Sequence, residues 1–253
     1  MPNPCGEIPL EALEAARAAA LLGESFSLQV LADAGVAANQ LDSLFDEGVL
    51  VQDSDIHASF ANVACRKQLL KEIPWSFRRS WSLKLGERLE LLKGNPEDIG
   101  RLFIAAQLFD RAKPHLIKGA EKACLCNDYL KALSLLRQVF DIWKENEDPT
   151  ARMKLLREMA RCAANTTDYD TAVIAWEEIL ENARTEDNLE VQIEAHQQLA
   201  QWTGIMGRRQ SVREHLQLAA ELAGKLDDPA SEARQWFEFA GFQVTHVRLA
   251  SAN

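Results

Sequence analysis

Apolar residues in the second half of the chain recur at a fixed interval of forty. Ala120, Ala160, Ala200 and Ala240 mark the register, and Met159, Leu199 and Phe239 put a bulky apolar residue just before the last three. Leu116, Leu156, His196 and Trp236 stand four positions before the alanines. Ala132, Ala172 and Val212 stand twelve after, Leu136, Trp176 and Leu216 sixteen after, and Val139, Ile179 and Ala219 nineteen after. Steps of three and four are helical spacing, so these columns predict two helices per repeat. The breaks repeat as well, at Asn127-Asp128, Thr167-Asp168 and Gly207-Arg208, and at Asp148-Pro149, Asn188-Leu189 and Asp228-Pro229. Asp or Asn followed by Pro reads as an N-cap and the first helical residue. A small residue on the first helix lets its neighbour approach, so each hairpin buries a face against the next. The prediction for residues 94–253 is an α-solenoid.

Before the repeats the pattern changes. Pro9–Leu22 is an alanine-rich helix stopped at Gly23, Ser27–Ala34 a short helix stopped at Gly35, and Ala37–Glu47 a third, with Leu41, Leu44 and Phe45 on one face. The segments VLVQ and IHASF flank Asp53-Ser54-Asp55 and read as two strands about a turn. Helices over 61–73 and from Pro74 to Lys93 follow. Three helices and a β-hairpin are the order of a winged-helix domain, so residues 1–93 are assigned to a winged-helix-like domain with its following helices. The expected fold class is mainly α, a small winged helix followed by a solenoid of helical hairpins.

The solenoid columns resemble the tetratricopeptide repeat: a large residue, then Leu-Ala, a turn with Tyr, then Ala, an aromatic or Leu, and Ala. Tyr129 and Tyr169 begin second helices, while Arg209 replaces Tyr in the last copy. A period of forty, against about 34 in the standard repeat, implies longer helices. The segments AARAAALLGESFSLQVLADAG, LDSLFDEGVL and FANVACRKQLLKEIPWSFRRSWSLKLGERLELL, followed by tandem repeats, resemble the region after the nucleotide-binding domain in STAND-class signalling ATPases, the maltose-regulon activator type among them. That resemblance implies a sensor and interaction region, linked in those families to an ATPase, that binds an inducer or a protein. It also implies possible association with a P-loop ATPase domain. Relatives commonly carry a His soon after the wing Phe; here Phe60 is followed by Ala61 and Asn62, with Arg66 kept. No GxxxxGK[ST] loop occurs, which excludes P-loop hydrolysis by this sequence.

Charge changes the picture by its placement. The chain of 253 residues carries a net charge of −10. Residues 1–60 hold ten acidic side chains against Arg17 alone, whereas 66–93 hold eight basic and three acidic ones. The third helix offers Asn39 and Gln40 toward base edges but also Asp42, Asp46 and Glu47 and no cation, so phosphate would be repelled. A DNA-binding regulator is therefore the alternative, and nucleic acid is not the expected partner. The basic run instead suggests a solvated face or one that docks an acidic segment. No apolar run reaches the ~20 residues a membrane helix needs, and the start does not read as a signal peptide. Five scattered cysteines (Cys5, Cys65, Cys124, Cys126, Cys162) read as reduced thiols of a cytoplasmic protein.

Candidate chemistry is sparse. Asn3-Pro4-Cys5-Gly6-Glu7 resembles the cysteine loop of ribonucleotide reductase, but that radical chemistry needs a closed barrel for which this chain has no strands. Cys124 and Cys126 lie two apart on a helix and point to nearly opposite sides, so they cannot share a tetrahedral metal. The histidines His57, His115, His196, His215 and His246 stand apart in sequence, and no Ser/His/Asp or HExxH arrangement occurs. The expectation is a non-catalytic protein without cofactor or metal. The candidate partner surface is the inner face of the first helices, at offsets −6, −3, +1 and +5 from the register alanine. It comprises Lys154, Arg157, Arg161 and Asn165 in one copy, Gln197 and Gln201 in the next, and Arg234 and Phe237 in the last. Three cations beside two glutamines suit a protein or peptide partner with acidic character. Glu158 and Glu194 stand close enough in the pattern to pair with those cations instead.

Overall fold

The computed structural model describes residues 5, 7–144, 147–226, 234–238 and 240. The chain forms two compact units, Met1–Lys122 and Ala123–Asn253. The expected division at 93/94 thus falls inside the first unit, because the helices that follow pack back on it.

In the first unit the elements run α1 (Leu13–Leu22), β1 (Ser25–Ser27), α2 (Leu28–Asp33), α3 (Ala38–Asp46), β2 (Leu50–Gln52), β3 (His57–Phe60), α4 (Val63–Glu72), α5 (Trp75–Leu91) and α6 (Pro96–Ala105). The three strands form an antiparallel sheet in the order β1-β3-β2, with Ser59 paired to Ser25 on one side and Val51 on the other. The hairpin is where the sequence pattern puts it. Strand β1 is not: SFS is too short to show alternation, and it pairs only because β3 offers a free edge. Seven of the ten residues of α1 are buried, five of them alanines, so this helix is enclosed and its neighbours approach closely.

The end of α1 shows how distant residues complete a local element. Its last turn contains no basic residue, and its carbonyls lack helical partners. Arg66 of α4 donates Nε–H to the Ala20 carbonyl at 3.1 Å, and Arg101 of α6 donates to the Leu21 and Leu22 carbonyls at 2.9 and 2.6 Å. Two cations at a helix C-terminus also interact favourably with the negative end of its dipole. Arg66 is therefore held by α1. Asn62 caps α4: its Oδ1 accepts the Ala64 N–H at 2.8 Å. Cys5 and Cys65 form a disulfide, which overturns the expectation that all five cysteines are free thiols and removes them from the argument for a cytoplasmic setting.

The helix α7 (Phe109–Leu125) runs across the division between the units. The second unit continues with α8 (Tyr129–Asp141), α9 (Pro149–Asn165), α10 (Tyr169–Thr185), α11 (Leu189–Ile205) and α12 (Arg209–Ala223); residues 234–238 are again helical. The forty-residue period has a simple origin: α9, α10 and α11 each have 17 residues and are separated by three. Each break uses one device. Asn127, Thr167, Asp187 and Gly207 adopt φ between 53° and 75°, and the following N–H returns to the carbonyl five residues back at 2.9 Å, on Ala123, Ala163, Ala183 and Thr203. Next, Asp128, Asp148, Asp168 and Asn188 cap the helices by accepting the N–H three residues on. Arg208 occupies the next such position and makes no side-chain cap; it pairs with Asp170 at 3.1 Å. The device is absent after α8, which stops at Asp141 so that the connection to α9 lengthens.

Ala160, Ala200, Leu156, Leu199, Leu136, Ile179 and Ala219 are all buried, as the columns require, and so are Ala120 and Leu116 of α7. Ala240 is a correction. It is exposed, because no described helix packs over that end of the column. Phe239, the Asp228-Pro229 break, Gly241 and Thr245 lie outside the described residues, as does His246.

Candidate functional site

The predicted partner residues stand on α9, on α11 and at 234–237. Contacts between these helices recur at separations of 37 and 38, and that spacing decides which of them meet. Arg157 on α9 grips Glu194 on α11, 37 residues away, with Nη2 to Oε2 at 2.7 Å and Nε to Oε1 at 3.3 Å. Gln197 donates Nε2–H to Oε1 of Gln235, 38 residues away, at 2.8 Å. Cys124 and Cys162 touch at a separation of 38 by the same rule.

The cations predicted to receive a partner already have carboxylates. Arg157 holds Glu194 and lies 6.0 Å from the Trp176 ring centre. Arg161 pairs with Glu158 on its own helix at 2.6 Å and lies 5.9 Å from the Tyr129 ring centre. The hydrogen bond to Glu158 raises the Arg161 pKa above its ordinary value. Asn165 donates to the Arg161 carbonyl at 2.8 Å. Lys154 is exposed, with no carboxylate in ion-pair distance among the described residues. These pairs are half-exposed, and such pairs contribute about 0–1 kcal/mol each, so an incoming anion can displace them.

Gln197 and Gln201 come together differently. With Gln198 and Glu238 they rim a cavity of about 380 Å³ whose floor is Ala200, Val212 and Leu216. Ala200 and Val212 belong to the register columns, so the cavity is the seam where the helix at 234–238 meets the α11–α12 hairpin. Arg234 and Phe237 are both exposed, Phe237 at 80 %, and neither lines it.

Two features escape the sequence pattern. A second cavity, about 370 Å³, opens where the turn device fails; Phe140, Trp143, Lys144, Arg152 and Asn182 line it. Arg152 sits 5.0 Å from the Phe140 ring centre and pairs with Glu178 at 2.6 Å. The shortened α8 was the available signal. The other feature is a histidine pair: Nδ1 of His196 lies 3.0 Å from Nδ1 of His215, and His196 is 2 % exposed. Burial, with His215 beside it, pulls the His196 pKa down to about 4, and burial lowers that of His215. In the first unit His115 contacts Glu90 at 2.8 Å, and that contact, with Arg111, draws the Glu90 carboxyl below its ordinary value. His115, His196 and His215 are thus partnered where the sequence suggested isolated rings.

Among the described residues no group of three His, Cys, Asp or Glu side chains could hold a metal. No described helix is long and apolar enough to cross a membrane. Of the segment resembling a reductase loop, Cys5 is tied to Cys65, and Asn3, Pro4 and Gly6 lie outside the described residues.

No protein-family model and no curated sequence relative matches the chain. Among solved structures it is similar to a STAND protein with a tetratricopeptide repeat sensor from Pyrococcus horikoshii, at 13 % identity and TM-score 0.45, over 94 % of this chain and 48 % of that one. The chain therefore spans about half the length of that protein. It is also similar to a Podosopora anserina chain of nearly identical TPR-like repeats (14 % identity, TM-score 0.43, 85 % and 95 % covered). A third is the apo form of RapI (11 % identity, TM-score 0.41, 96 % and 63 % covered). The fold class is an α-solenoid of tetratricopeptide-like hairpins, and at these scores the description rests on the helix geometry above.

Proposed function

We propose that the chain is a non-catalytic protein-interaction or sensor module of a signalling or transcription-regulatory protein. It takes an acidic protein segment on the concave face formed by α9, α11 and residues 234–238. The supporting observation is the cavity rimmed by Gln197, Gln198 and Gln201 on an apolar floor. Side-chain amides can donate to and accept from an extended peptide backbone, while Ala200, Val212 and Leu216 receive an apolar side chain. Lys154, Arg157 and Arg161 meet the acidic groups of the segment, and Phe237 supplies exposed apolar area. A preformed groove limits the ordering cost of binding.

In the same reading residues 7–60 are a winged helix. The support is the element order with its β1-β3-β2 sheet. Its third helix exposes Asp42 and Asp46, which disfavours phosphate, so the domain serves as a connector, as in an ATPase-linked protein.

An array of acidic decapeptides tests the surface. The wild-type chain should retain a subset of them, and the double variant Arg157→Gln, Arg161→Gln should lose about tenfold in affinity, the size of one to two charge-assisted contacts. Circular dichroism should be unchanged. Equal retention by the folded double variant, or none by wild type, would refute the assignment.

A further inference from the structure

Within the Ala123–Asn253 unit, the last residues of α7 and the helix α9 bring a pair of thiols into contact. The Sγ atoms of Cys124 and Cys162 lie 3.3 Å apart. Cys162 is fully enclosed, Cys124 is half-buried, and Cys126, two residues further on, is exposed. The two sulfurs are 38 residues apart, the same separation at which Gln197 meets Gln235.

We propose that Cys124 and Cys162 form a peroxide-modifiable dithiol, in which a hydroperoxide converts the pair to a disulfide tying the last turn of α7 to α9. The roles follow from access. Cys124 is the thiol a small peroxide can reach. Its thiolate attacks one peroxide oxygen, the O–O bond breaks, and the departing hydroxide takes a proton to leave as water. Cys124 is then a sulfenic acid. Cys162, already in contact, attacks that sulfur. The S–O bond breaks, and the second hydroxide leaves as water with the Cys162 thiol proton. Two thiols and one hydrogen peroxide thus give one disulfide and two waters, with two electrons passing from sulfur to peroxide. Burial pushes the Cys162 thiol up to about 12, which keeps it protonated and inert toward reagents in solution until its neighbour is oxidised. Cys126 lies outside the contact and takes no part.

The test uses the full chain treated with hydrogen peroxide, alkylated without reduction and mapped by mass spectrometry. The expected result is a Cys124–Cys162 linked peptide two hydrogens lighter than the separate peptides, lost on adding a thiol reductant, with Cys126 still alkylated. The cross-link closes a 38-residue separation and should raise the melting temperature on the order of 10 °C. Cys162→Ser should instead leave a sulfenic acid on Cys124 that a dione reagent traps, and Cys124→Ser should leave Cys162 unmodified. Separate alkylation of Cys124 and Cys162 after treatment, a link that includes Cys126, or over-oxidised Cys124 without cross-linking would overturn the proposal.

Discussion

Removing the Cys5–Cys65 disulfide should lower the stability of the Met1–Lys122 unit by about 4 kcal/mol. The bridge spans 60 residues, and constraining a loop of that length in the unfolded chain accounts for about that much in the chain-entropy description. The bridge joins the segment before α1 to α4, whose Cys65 is buried in the same core cluster as the alanines of α1. Cys5→Ser is the better variant, because Cys5 is half-buried and serine there adds little desolvation cost of its own. Calorimetry should show a melting temperature lower by on the order of 10 °C. In the wild-type protein not exposed to peroxide, denatured without reductant, three thiols should react. Five reactive thiols and an unchanged melting temperature in Cys5→Ser would contradict the prediction.

Acidification should weaken the second unit in a defined window. The folded-state pKa of His196 lies near 4, below the value of about 6.5 expected in the unfolded chain. The unfolded state therefore binds the proton first as pH falls. The stability associated with the neutral ring is fully present above about pH 6.5 and is lost progressively down to about pH 4, where the folded state protonates too. The whole shift corresponds to about 3 kcal/mol, of which about 2 is gone by pH 5. His215 is shifted in the same direction by burial, and Arg184 opposes a second positive charge on both rings, while Glu214 and Glu177 act the other way on His215. Urea unfolding of wild type at pH 7 and pH 5 should show the difference, and His196→Gln should reduce it sharply. A His196→Gln variant with the wild-type slope between these pH values would show that the dependence lies elsewhere.

The helices of the solenoid are legible because their information is local and repeated. Asp128, Asp148, Asp168 and Asn188 cap at intervals of twenty, and Ala160 and Ala200 are buried at intervals of forty. What the sequence hides is pairing over distance. Arg66 and Arg101 cap α1 from 46 and about 80 residues away, and nothing in their local pattern shows it. The same holds for Cys5 with Cys65. The candidate site is intermediate. Its residues fall on one helical face by spacing alone, and the pattern also sets Glu194 near the cations. That Glu194 meets Arg157 in particular, and that Gln197 meets Gln235, follows only from the 37-to-38-residue separation of the contacts. His196 and His215 face each other within one hairpin, 19 residues apart, close to the half-period. The columns also overreached. Ala240 fits the register but lacks a described neighbour to bury it.

Ala160 and Ala200 are buried where stacked helices meet, and one substitution pair tests that most directly. Ala160→Leu forces three extra carbons into a position 2 % exposed and should cost about 2 kcal/mol. Lys154→Leu, on the exposed side of the same helix, should stay within about 0.5 kcal/mol of wild type. Equal tolerance of leucine at both positions would mean that α9 does not present Ala160 to a neighbour, and the stacked-hairpin account would be wrong.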